Sequence, residues 1–159
     1  MKGDARIIDA LNDLLTAELT AINQYYIHYK MCENWGFKRH ADYFRAESID
    51  EMKHSDMLMS RILFLDGIPN VQRYNPVLVG ETVREQIELA VAAETQAAKL
   101  MNDLIAASRD GGDNGTREMV ERMLVDTEEA LDWAESQLHQ IATIGVENYL
   151  AQSIDLSHD

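Results

Sequence analysis

LDGIPNVQRYNPVLVG, residues 65–80, holds both prolines of the chain, Pro69 and Pro76, with Gly67 and Gly80 near its ends. A segment punctuated in this way does not continue a helix, because proline removes a backbone donor and restrains the residue before it. It is also too long for a turn between adjacent helices. Some 14 residues of roughly extended chain can run the length of a helical bundle.

Working outward, two long segments lie on each side, separated from each other by Gly36 and by Gly111–Gly112. All four carry apolar residues at steps of three and four, the period of a helix with one buried face. A shorter stretch follows Gly145. The spacing predicts helices over 4–35, 38–66, 81–110, 114–144 and 146–155, in a single domain spanning 1–159. Thr82-x-x-Glu85, just after Gly80, reads as a capping box. Short links make each pair an antiparallel hairpin, and the 65–80 segment carries the chain from one hairpin to the other. The expected fold is all-α: a four-helix bundle with one long crossover and a short C-terminal fifth helix.

The chain has 159 residues, enough for one domain with a sizeable core. Fourteen Lys and Arg face 28 Asp and Glu, giving a net charge of −14. Such a field repels nucleic acid and anionic membranes and attracts cations. Cys32 is the sole cysteine, so no internal disulfide forms and a reducing compartment is expected. No apolar leader follows MKGDAR, and no run approaches ~18 apolar residues, so the expectation is a cytoplasmic protein with no membrane or nucleic-acid partner.

The core rows carry an anomaly. Leu11, Leu14/Leu15, Glu18, Ile22, Tyr25 and Tyr29 share one face of the first helix. Phe44, Glu47/Ser48, Glu51, His54, Leu58, Ile62 and Leu65 share one of the second, and Ile87, Ala90/Val91, Glu94, Ala97/Ala98, Met101 and Leu104/Ile105 one of the third. Glu18, Glu51 and Glu94 thus interrupt apolar stripes, and a buried carboxylate demands a cation, a proton or a hydrogen-bond donor. Glu18 and Glu51 are 33 residues apart, and the same step from Glu94 reaches position 127. The hairpins therefore read as a repeat, with Glu on one helix and Glu-x-x-His on the next. Inward carboxylates and imidazoles from four helices are the ligand set of di-iron and di-manganese bundles. A hydrogen-bonded polar layer that fixes register, with Tyr25 bonded to Glu94 or His54, is the other reading of these residues.

The fourth helix breaks the repeat. Its row is Val120, Met123/Leu124, Thr127, Ala130/Leu131, Ala134 and Leu138, so Thr127 and Ala130 stand where Glu-x-x-His is expected. Glu128 and Glu129 are turned off that row by ~100° per residue and read as a solvated face. The sequence holds half of a two-metal site. Met52 is also turned ~100° from Glu51. It joins Ile49, Met59 and Leu63 on a second apolar row, broken by Ser55 and Asp56, which suggests a subunit interface. A methionine there is ordinarily a packing residue, although a thioether also serves as an axial haem ligand.

MKGDARIIDALNDLLTAELTAINQYYIHYKM, ENWGFKR, ESIDEMKH, RILFLDGIPN and GVENYLAQ together resemble a bacterioferritin over nearly the whole chain. The resemblance implies a ferritin-like bundle within a hollow 24-subunit cage that oxidises Fe(II), stores ferric mineral and binds haem b between paired subunits. It implies Met52 as the axial haem ligand from each subunit, and Glu18, Glu51, His54 and Glu94 as ligands of the di-iron ferroxidase centre. Asp50 and Asp126 match positions of a possible interior iron site, whose nearby histidine position is Ala46 here. Trp133 matches as well. Thr127 and Ala130 depart from the family pattern, so the ferroxidase status of this subunit is the open point. Some bacterioferritins pair a ferroxidase-competent subunit with a haem-ligating one, and this chain resembles the second type. A redox protein for iron release is a further implied partner. Two other readings stand beside it: an active homopolymeric ferroxidase completed by water or a moved Glu128, and a plain helical interaction module.

Overall fold

The computed structural model of the chain describes residues 1–154. Four long helices, α1 (Ala5–Trp35), α2 (Lys38–Phe64), α3 (Val83–Asp110) and α4 (Asn114–Ile144), precede a short α5 (Val146–Ala151). The fold is the expected four-helix bundle, with α1 against α2, α3 against α4, and α1 against α3. Asp4 caps α1 by accepting from the Arg6 N–H, and Gly36 ends it in the left-handed conformation at φ 83°.

Four boundaries fall inside the expected ones, the first by a single residue, since α1 begins at Ala5 with Asp4 outside it as its cap. The second helix stops at Phe64, because Asp66 turns the chain at φ 60°. The third starts at Val83, with Thr82 outside it as the cap that accepts from Glu85 N–H. Glu85 closes the box by accepting from the N–H of Glu81 rather than Thr82. The fifth ends at Ala151, and the end expected for it, residue 155, lies outside the described residues.

The crossover has no secondary structure of its own, so its backbone polar groups need other partners. A polar stripe along α1 supplies them. Asn12 bonds the backbone at Ile68 and Asn70, and Thr16 accepts from Arg73. Thr20 accepts from the Asn75 N–H, Gln24 from the Leu78 N–H, and His28 Nε2 from the Gly80 N–H. These five α1 residues recur every four positions, one helical row. The row fixes the crossover along α1 and delivers α3 antiparallel to it.

The core divides into two apolar groups. One contains Leu11, Leu14, Leu15, Leu58, Ile62, Met101, Leu104 and Val120. The other contains Tyr25, Phe44, Ile87, Ala90, Ala134 and Tyr149. Between them lies a polar layer.

Candidate metal centre

Glu18, Glu51, His54 and Glu94 are brought together in that layer, all at most 5% exposed. Glu18 and Glu51 each turn one oxygen toward His54 Nδ1, at 3.5 and 3.7 Å. None of Glu18 Oε2, Glu51 Oε2 and His54 Nδ1 has a hydrogen-bond partner. Three buried acceptor-bearing atoms facing one another without donors are unstable as neutral bystanders. They require a proton or a cation between them. One ligand atom from each lies within 4.8 Å of the others, the convergence a metal ion needs.

His54 is oriented from behind. Its Nε2 lies 2.9 Å from Asp126 Oδ2, although Asp126 is itself 63% exposed. A carboxylate on the far nitrogen fixes the ring and aims the other nitrogen at the centre. Burial opposes charge on the imidazole, but Glu51 and Asp126 outweigh it and raise its pKa to about 9. Metal-free, the histidine therefore holds a proton at neutral pH.

Glu94 accepts from the Tyr25 hydroxyl at 2.6 Å, so Tyr25 partners Glu94 rather than His54. Burial and then the charge of Glu51 push Glu94 well above the usual carboxylate range. Glu47 joins Glu51 and Glu94 in a second convergent triad, with ligand atoms again within 4.8 Å. Burial, then the charge of Asp50, pushes Glu47 up to about 7, against a hydrogen bond from Tyr43. In the sequence Glu47 reads only as a core-row alternative to Ser48. Its four-residue step to Glu51 was the available signal.

Thr127 and Ala130 do lie in the core, at 2% and 7% exposure. The Thr127 hydroxyl donates to Met101 Sδ at 3.5 Å. Beside Ala130 an open-sided cavity of about 490 Å³ is bordered by Tyr43, Glu47, Glu51, His54, Asp126 and Glu129. Glu128 and Glu129 are exposed, and it is Glu129, not Glu128, that reaches the rim of this cavity. Asp50 borders it too, exposed and 3.4 Å from Lys53. Trp133 stacks on Tyr43 with ring centres 3.4 Å apart, pinning α4 to α2 next to the site.

On the face of α2 turned about 100° from Glu51, Met52 is 56% exposed, with Ile49 at 36% and Leu63 at 61%. Met59 is the exception to the expected row, being partly buried against the core. Ser55 is buried and donates to the Glu51 carbonyl.

A ferritin-like domain model matches residues 8–144. A bacterioferritin from Mycolicibacterium paratuberculosis is 43% identical over 154 residues, 97% of each chain. The chain belongs to the bacterioferritins. Those of Mycobacterium leprae and Brucella melitensis are 43% and 38% identical, over 97% and 94% of this chain and 97% and 92% of their own. Iron storage in a ferritin-like cage of like subunits comes with this membership. Among the described residues, no helix is long and apolar enough to cross a membrane.

Proposed function

We propose that this bacterioferritin chain is a cytoplasmic cage subunit that binds haem b through Met52 and co-assembles with a subunit type carrying a complete ferroxidase centre. The observation that carries this reading is the asymmetry of the polar layer. Glu18, Glu51 and His54 form a set of unpartnered ligands for one Fe(II), whereas the fourth helix gives the second position only Thr127 and Ala130. A neutral hydroxyl and a methyl neither balance charge nor ligate strongly. Oxidation by two irons acting together needs both positions filled, so this subunit alone oxidises Fe(II) slowly.

The chain's own residues do three things at the centre. Asp126 holds His54 in place, Tyr25 restrains one oxygen of Glu94, and Glu51, which belongs to both convergent sets, would be shared by two metal ions. Asp50 and Asp126 give the same cavity an acidic rim through which iron can pass inward. The other reading, an active homopolymer completed by water or a moved Glu128, requires Glu128 to leave its exposed position on α4. A plain interaction module does not fit a chain that belongs to the iron-storing bacterioferritins.

The Met52 face suits haem. A thioether standing exposed in an apolar row is a soft ligand available to a neighbouring subunit, and a two-fold axis there would supply a second. Haem would add a one-electron relay, which fits a redox protein as the partner for iron release. Purified protein should carry about half a haem per chain, because two chains share each group. Met52→Leu should abolish the haem spectrum while cages still form. Unchanged haem in that variant would refute the assignment.

A further inference from the structure

Glu47 stands four residues before Glu51 on α2 and borders the cavity left beside Ala130. One of its oxygens lies within 4.8 Å of a ligand oxygen of both Glu51 and Glu94, the same limit that the Glu18, Glu51 and His54 set meets. Glu51 belongs to both triads, and its Oε2 is buried with no hydrogen-bond partner. A carboxylate common to two convergent sets is positioned to bridge two cations. From these observations we propose that Glu47 supplies the carboxylate that α4 lacks, forming with Glu51 and Glu94 a second divalent-cation position in this chain.

Charge balance supports the assignment. Two divalent ions in a buried layer carry four positive charges, and uncompensated charge there is costly. Once Glu94 and Glu47 release their protons to the incoming ions, Glu18, Glu51 and Glu94 supply three negative charges and Glu47 makes the fourth. The space is available as well. Alanine at 130 leaves open the cavity that a larger side chain would fill, and the Glu47 side chain borders that space. What Glu47 does not restore is a second imidazole. The second ion therefore binds more weakly than the first, whose ligands include His54.

The inference rests on the metal-centre reading of the Glu18, Glu51 and His54 triad, and one experiment separates the two. Whole protein is purified, stripped of metal, crystallised and soaked in Zn²⁺, and anomalous scattering locates the ions. The parent should show two peaks per subunit at roughly the 3.5–4 Å separation of paired metals, the one beside Glu47 at lower occupancy. Glu47→Gln preserves shape and removes the charge. It should lose the second peak and keep the first, and calorimetric titration should show the second affinity weakened at least tenfold, roughly 1.4 kcal/mol or more. A second peak unchanged in Glu47→Gln, or a single peak in the parent, overturns the role of Glu47 and leaves the first triad standing. No peak at either triad overturns both.

Discussion

The two ring nitrogens of His54 meet opposite surroundings. Nε2 is tied to an exposed aspartate and Nδ1 faces two buried carboxylate oxygens that lack donors. Because the free imidazole titrates at about 9, an incoming ion must displace a proton over most of the accessible pH range. Affinity for the first ion should then rise about tenfold per pH unit from neutrality and level off near pH 9. Zn²⁺ titration of stripped protein across that range checks the slope, and a flat affinity would show that His54 is neutral or not a ligand. At this scale the sequence revealed Glu18, Glu51, His54 and Glu94, since a carboxylate in an apolar row is conspicuous. It did not reveal Glu47 as a member of the layer, because Ser48 shares its place in the pattern. Nor did spacing reveal the tie between Asp126 and His54, which joins α2 to α4 across the bundle.

Between α2 and α3 the chain depends on side chains of α1 for its order. Asn12, Thr16, Thr20, Gln24 and His28 hold it at regular intervals. His28 accepts the Gly80 N–H, so it must stay neutral there, and burial lowers its pKa to about 4. His40, buried between Phe44, Trp133 and Tyr149, is likewise lowered to about 4, chiefly by burial. In the unfolded chain both would take up protons near pH 6.5. Between about 6.5 and 4 the unfolded state thus binds more protons, and their contribution to stability falls as pH drops through that window. Protection of the Gly80 amide against hydrogen exchange, corrected for intrinsic rate, should decline as pH approaches 4. Protection unchanged down to pH 4 would contradict the acceptor role of His28. The crossover itself was legible from its prolines, its glycines and its length. The stripe that fastens it was not, because asparagine, threonine, glutamine and histidine on successive turns read as an ordinary polar face.

Across the whole molecule, the two hairpins repeat each other with one defect. Glu on one helix and Glu-x-x-His on the next describe the first hairpin, while the second keeps Glu94 and replaces the rest with Thr127 and Ala130. The defect was visible in the sequence because the 33-residue step names the positions that ought to ligate. Its surroundings were not visible: the Thr127 hydroxyl bonded to Met101, and open space beside Ala130. That space, together with Ala134 on the same row, makes repair feasible. Thr127→Glu with Ala130→His would restore the bridging charge and the second imidazole together, and either change alone should do much less because paired ligands act as a unit. Stopped-flow oxidation of Fe(II) by cages of this chain alone, parent against the double variant, is the direct test. The parent should be slow and the double variant should exceed its initial rate by at least about tenfold, a modest return for ligands that complete a two-metal centre. A parent already as fast as the repaired cage would contradict the account.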